Sequence, residues 1–371
     1  HSFFNIKDIP FLSVWLICTY FVINFVNSHI QKKKIKNKNI LIFGLVTAYL
    51  FSIRISGILI LLEYLIFLTF MINITKSKYS NFLKIYYKQI AFFLFITVAF
   101  FYFLSPSYWS NPLDVIKGIK AMSNHIQTVC TVTLGECMKA QNLPSTYLPI
   151  WFFFKLPVII LYGLLYLIFK EKSFFSNLKN KIFIGPLLTS TLVILLLLII
   201  LNVNLYDEIR QVMFLIPLFF IVSLVAIYNL SNKIKYTFLA FTILFFTFQN
   251  IKIYPYNYVW LNTLTMLTKV SDNFELDYWG VSTKEISNYF TEVENISDEC
   301  IISNRNRGIK DFIIEKDICF KSFNELHGKN KRPFFVVLTE RALNKGLPNN
   351  CKNIYNEKIK LNFVENLTLA K

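Results

Sequence analysis

Two arginines are the residues of this 371-residue chain best suited to chemistry at a membrane surface. Arg54 sits in Ser52-Ile-Arg-Ile-Ser56, at the break between two apolar runs. Its planar guanidinium is suited to a bidentate grip on a phosphate. Arg210 closes the short polar segment Leu205-Tyr-Asp-Glu-Ile-Arg210, just ahead of an apolar run that carries Pro217. It is expected to be a second phosphate contact. Asp207 is the nearest carboxylate to act as a base, although an acid and a base three residues apart also read as a surface ion pair worth little. No residue is assigned as catalytic beyond that.

Other polar groups have a structural reading beside the functional one. Glu63 lies inside an apolar run, where carboxylates are rare and usually face a bundle interior. Lys155, in Phe154-Lys-Leu-Pro157, is expected to snorkel to the interface. Tyr108-Trp-Ser-Asn-Pro112 and Tyr147-Leu-Pro-Ile-Trp151 supply aromatic rings of the kind that line membrane interfaces regardless of function. Tyr108, Trp109 and Tyr147 are therefore substrate-loop candidates together with His125 and Glu136, for which solvation is the simpler account. The four histidines have no metal-ligand spacing, and no Cys pair suggests zinc. No metal site is assigned, and a divalent cation is left open. Nucleotide-binding glycine loops and the nucleophile elbow are absent, which argues against an ATP-driven pump. Cys18 reads as a small apolar filler. Cys130 and Cys137 are placed to bridge in an oxidising compartment, whereas Cys300, Cys319 and Cys351 leave one thiol over.

These groups need a scaffold, and hydropathy supplies it. The chain is 54% hydrophobic and 16% charged, with a mean hydropathy of +0.47, a membrane protein's balance. Apolar runs at about 9 to 27, 90 to 104, 149 to 169, 182 to 203, 211 to 230 and 236 to 253, with two short helices split at Arg54 between Ile40 and Ile72, give eight expected crossings. Lysine clusters fall at every second connection: Lys32 to Lys38, Lys76 to Lys88, Lys170 to Lys181, then Lys233 and Lys235. The positive-inside rule puts all four on the cytoplasmic face. It puts the Arg54 turn, the loop from about 105 to 148, the Asn202 to Arg210 segment and everything after about 254 on the other face.

The expected architecture is thus a mainly α, polytopic helical bundle over 1–253, followed by a small α/β extracytoplasmic domain over 254–371. In that tail Ser282-Thr-Lys-Glu285 has capping-box spacing before a helix to about Glu292. Strands are expected at Cys300 to Ser303, Phe312 to Ile314, Phe334 to Thr339 and Ile359 to Phe363. The net charge of +17 divides to match. Fifteen lysines less Glu171 lie in the four cytoplasmic segments, and the tail holds 16 basic against 15 acidic residues. The basic balance is a topology label and does not call for nucleic acid.

Several segments, in order, resemble a known family: Tyr108-Trp-Ser-Asn-Pro112, Leu143-Pro-Ser-Thr-Tyr-Leu-Pro-Ile-Trp151, Leu205-Tyr-Asp-Glu-Ile-Arg210 with Phe214 and Pro217, Tyr254-Pro-Tyr-Asn-Tyr-Val-Trp-Leu-Asn262, and Glu275-Leu-Asp-Tyr-Trp-Gly-Val-Ser282. The series is similar to bacterial membrane glycosyltransferases of the family 39-like, GT-C class, relatives of dolichyl-phosphate-mannose protein mannosyltransferases. The resemblance implies transfer of a sugar from a polyprenyl-phosphate donor to a protein, lipid or glycan acceptor outside a bacterial inner membrane. It also implies an acidic residue, a base or metal contact, in the first extracytoplasmic loop. The chain begins His1-Ser2 without Met, so that acid is expected in an upstream segment. Where the family tends to carry Arg followed by His, this chain has Arg210-Gln211. A polytopic transporter or lipid flippase is the alternative. It would bury ionisable groups and helix breaks at the midplane, whereas here they gather at one face.

Overall fold

The computed structural model describes residues 7–123, 130–292, 300–303, 309, 319–322, 334–337, 357–361 and 365–370. His125 and Cys351, and the run expected as a strand at Phe312 to Ile314, lie outside the described residues. By contacts the chain divides into two units. The first holds His1–Thr128, Gln141–Pro149 and Leu156–Leu239, and the second Val129–Ala140, Ile150–Lys155 and Ala240–Lys371.

The first unit begins with α1 (Asp8–Ile30), α2 (Asn37–Ile53), α3 (Ile60–Ile74), α4 (Tyr79–Leu104) and the short α5 (Asp114–Ser123). It also holds α7 (Val158–Ser176), α8 (Gly185–Ile200) and α9 (Ile216–Tyr228), whereas α6 (Tyr147–Lys155) and α10 (Asn232–Ile253) are each divided between the two units. Among the described residues six helical stretches are long and apolar enough to cross a membrane: Asp8–Ile30, Ile55–Ile74, Tyr79–Leu104, Asn180–Ile200, Arg210–Tyr228 and Asn232–Ile253. The eight expected crossings resolve differently from the sequence reading. The run near 149 to 169 is a pair of helices broken ahead of α7, where Pro157 lacks the N–H to continue a helix and serves as the N-cap instead. The first half of the Ile40 to Ile72 run is the 17-residue α2, about 25 Å of helix, short of the roughly 30 Å hydrocarbon core.

Arg54 ends α2. Its backbone is extended (φ −150°, ψ 134°), and the chain re-enters through a 3-10 turn, Ile55–Leu59, before α3. The reversal is tight enough to need Gly57, since a Cβ there would sit 3.0 Å from the Leu50 carbonyl oxygen. In the bundle α1 packs on α2 and α3, α2 on α4, α3 on α8 and α7 on α9. Lipid offers helices no hydrophobic drive to associate, so close backbone approach at small residues matters. Gly163 supplies it: a Cβ there would lie 2.7 Å from the Ser223 carbonyl oxygen, and Ser223 Oγ donates to the Ile160 carbonyl across the same contact (3.0 Å). Thr47 and Thr191 donate to carbonyls one turn back, Phe43 and Leu187, which satisfies hydroxyls inside apolar helices.

The second unit carries the strands. β1 (Cys130–Thr133) and β2 (Glu136–Lys139) form a hairpin that turns through Leu134 and Gly135, both at positive φ. A Cys130–Cys137 disulfide closes it. After α11 (Val270–Asn273) and α12 (Thr283–Glu292), β3 (Cys300–Ser303) lies between β4 (Cys319–Ser322) and β5 (Phe334–Val337), all parallel. Cys300 faces Cys319 and is bonded to it. β6 (Glu357–Leu361) and β7 (Glu365–Ala370) pair antiparallel. Ahead of α12 the Ser282 hydroxyl is a donor, and the first N–H groups of the helix go to main-chain carbonyls, Thr283 to Gly280 and Lys284 to Val281. Asp277, fully buried, accepts from the main-chain N–H groups of Val281 and Ser282 (2.9 and 3.0 Å), from Ser282 Oγ and from the Tyr258 hydroxyl.

Candidate active site

The first turn of α1 carries Asp8, where the helix N-terminus favours negative charge. Its carboxylate is 3% exposed and is met by cations from two distant segments. Arg54, at the α2 end, forms an ion pair through Nη2. Arg210 places Nε 3.6 Å from the other Asp8 oxygen and Nη1 3.2 Å from Asp207 Oδ2. The two guanidiniums are 19% and 17% exposed, so the cluster is covered without being sealed. Arg54 also donates through Nη1 to the Gln211 carbonyl (3.5 Å) and lies over the Phe11 ring, while Arg210 lies over Tyr206. Burial pulls the Arg54 pKa below its ordinary value, and neighbouring Arg210 adds to that. The Asp8 charge opposes both.

The segment presenting Arg210 is itself unusual. Asp207 and Glu208 both adopt left-handed backbone, φ 56° and 63°, a conformation that costs a non-glycine residue roughly 1–3 kcal/mol and clusters at functional sites. Both are buried. The Tyr147 hydroxyl donates to the Glu208 carbonyl (3.1 Å) and props this turn. Tyr147 also lines a shallow surface depression with Leu143, Pro144, Leu198 and Leu205.

Beneath the charges lies an aromatic layer. Phe11 and Trp15, on the same face of α1 as Asp8, meet Phe214 at ring distances of 5.4 and 4.2 Å. One step deeper, Glu63 from α3 accepts from Trp15 Nε1 (2.9 Å) and Thr19 Oγ1 (2.6 Å). Glu63 faces the bundle interior, fully buried.

The structure therefore brings together Arg54, Arg210 and Asp207, with Tyr147 behind them. Tyr108 stacks on Phe101. Trp109 is exposed and donates to the Tyr102 carbonyl (2.6 Å). Glu136 is an exposed residue of β2, paired opposite Thr133 in the second unit. Lys155 Nζ donates to the Tyr258 carbonyl (2.8 Å). The aromatic motifs of the second unit act there as joints, with Trp151 donating to Thr133 (3.0 Å) and Asn262 bonded to the Phe153 and Phe154 carbonyls.

Asp8 is the residue that sequence reasoning missed. A signal existed: an acid heading the first apolar run, placed by the lysine alternation on the same face as Arg54 and Arg210. Among the described residues no three His, Cys, Asp or Glu side chains group as metal ligands. Asp8 and Asp207 are each engaged by arginine, a donor set that does not fit a divalent cation. No family model matches the chain, and neither a curated protein nor a solved structure matches it.

Proposed function

We propose that the protein is an integral membrane glycosyltransferase that takes a sugar from a polyprenyl-phosphate donor and passes it to an acceptor at the Asp8 end of the bundle, on the extracytoplasmic face. One observation carries this reading: the heads of three apolar stretches, at Asp8, Arg54 and Arg210, converge in a half-covered charge cluster. Transfer from such a donor breaks the bond between the sugar's anomeric carbon and the phosphate oxygen. It leaves negative charge on the phosphate and releases the acceptor hydroxyl proton. Guanidiniums suit the first need and a carboxylate the second.

Each guanidinium has five N–H donors, and the carboxylate contacts use only some of them, so a phosphate is accommodated alongside Asp8. Asp8, at the head of its helix and beside both arginines, is the carboxylate placed to take the acceptor's proton. The disulfide in the Cys130 to Cys137 hairpin supports an oxidising compartment for that loop, in keeping with lysine-rich connections on the cytoplasmic side.

The test is transfer of labelled sugar from a panel of polyprenyl-phosphate sugars by the full chain in membranes. Donor consumption that is lost with Asp8→Asn is the expected result. No consumption of any donor, together with measurable solute or lipid flux through the same preparation, overturns the proposal in favour of a transporter or flippase.

A further inference from the structure

We infer that α5 is an interfacial helix, seated on the leaflet at the Asp8 end of the bundle with Leu113, Ile116 and Ile119 turned into the lipid. The inference is independent of the transferase reading.

Sequence and exposure agree on an amphipathic element. Leu113, Ile116 and Ile119 recur at helical spacing and are 69%, 65% and 39% exposed. Lys117 borders that stripe, paired to Asp114 one turn back (2.7 Å), and Lys120 lies one turn on from Ile116, where its stem can run along the apolar face and its amine reach the headgroups. Exposed Trp109 leads into the helix. An apolar stripe with long lysine stems beside and along it, headed by tryptophan, is the chemistry of a helix lying in a membrane's headgroup region.

The depth follows from how the chain leaves α4. That helix is long and apolar enough to span, and only 11% of its apolar window is buried, with Phe95, Val98 and Phe103 exposed along it. Lipid is the natural cover for such a surface. At its end the chain is folded back on the last turn. Trp109 Nε1 donates to the Tyr102 carbonyl (2.6 Å), and the Tyr102 hydroxyl donates to the Pro112 carbonyl (2.8 Å). Residue 112 is thus tied to the final turn of the spanning helix, and α5 starts two residues later at the same level. Gly118 packs against Tyr108, where a Cβ would come within 2.9 Å of the hydroxyl oxygen. This contact turns the opposite, apolar side outward. The occupant of that side is the bilayer that already covers α4.

The full chain is reconstituted in phosphatidylcholine–phosphatidylglycerol vesicles, with Cys18→Ser and Cys351→Ser removing the thiols outside the two disulfides. Single variants Ile116→Cys, Ile119→Cys and Lys117→Cys carry a polarity-sensitive fluorophore. Labels at 116 and 119 are expected to emit blue-shifted from that at 117. They should lose emission to shallow spin-labelled lipid and keep it in aqueous iodide, with the opposite order at 117. Iodide quenching at 116 and 119 equal to that at 117 would put the helix in water and overturn the inference. Resistance at 116 and 119 to both quenchers would mean protein covers the stripe, which overturns it equally. These labels report depth whether or not the chain transfers sugar.

Discussion

Two buried carboxylates lie one above the other against α1, and they are held in opposite ways. Asp8, on α1 itself, is met by two guanidiniums that remain 17–19% exposed. Glu63, reaching from α3, is met by an indole N–H and a hydroxyl that are 0% and 2% exposed. The upper arrangement keeps charged groups within reach of a polar ligand at the end of the bundle. The lower one satisfies both oxygens of a carboxylate with neutral donors and shuts out everything else. Burial alone therefore does not mark a site in this protein. What separates the two is the charge of the partners and their residual access, with the Phe11, Trp15 and Phe214 rings forming the wall between them.

The sharpest way to break that contrast is to neutralise each acid without changing its shape. Asp8→Asn is expected to lower sugar transfer by roughly 10²–10⁴-fold, the usual contribution of a positioned base, and to lower the unfolding midpoint as well, since two largely buried guanidiniums lose their shared counter-charge. Glu63→Gln retains an acceptor for Trp15 or Thr19 and is expected to keep transfer within about tenfold. Comparable losses in the two variants would erase the distinction.

Arg54→Ala and Arg210→Ala should each weaken donor binding by about 1.5–3 kcal/mol, the scale of a hydrogen bond to a charged group. Binding of the polyprenyl-phosphate donor measured in detergent or nanodiscs reads this directly. Because both arginines touch Asp8, their effects should be non-additive with Asp8→Asn in a double-mutant cycle. If the cluster were only a latch between helices, the same variants would lower unfolding temperature and leave donor affinity intact.

At the lower site the expectation reverses. Glu63→Ala leaves the Trp15 indole N–H without its acceptor in the bundle interior, at a cost of about 1–3 kcal/mol, while the Thr19 hydroxyl keeps the Trp15 carbonyl as a partner. Thermal unfolding of the purified protein should show it clearly. Donor affinity should fall less than it does with either arginine variant.

Much of this arrangement was legible in the sequence because membrane helices announce themselves. Apolar runs and alternating lysines located the spans and brought Arg54 and Arg210 to one end, since a bilayer forces polar backbone into helices and polar side chains to the surfaces. The misses have local causes. Asp8 went unread because an acid in the first turn of a helix is ordinary, and only the tertiary return of Arg54 and Arg210 gives it two cationic partners. The break between α6 and α7 turned on a single proline, Pro157, inside a run of adequate length. Ser282 had capping-box spacing, yet its hydroxyl donates to Asp277, five residues earlier, because a buried carboxylate is a stronger acceptor than anything else within its reach. The hairpin from Cys130 to Lys139 and the strands β4 and β7 are short, and strand pairing depends on partners far along the chain.

The smallest expected effect tests whether the upper site depends on its backbone as well as its charges. Tyr147→Phe removes one hydroxyl, whose partner is the Glu208 carbonyl, and leaves the ring in place. A neutral hydrogen bond contributes about 0.5–1.5 kcal/mol. That turn already holds two left-handed non-glycine residues, so loosening it lets Asp207 and Glu208 relax toward ordinary backbone and lets Arg210 move away from Asp8. Transfer should therefore drop by several-fold while the unfolding midpoint shifts little. Pairing Tyr147→Phe with Glu208→Gly separates the causes, because glycine adopts positive φ without the steric cost. If Glu208→Gly restores transfer to Tyr147→Phe, the hydroxyl serves to hold a strained turn. If transfer stays low, the Glu208 side chain itself contributes to the charge cluster and belongs with Asp8 in the comparison rather than behind it.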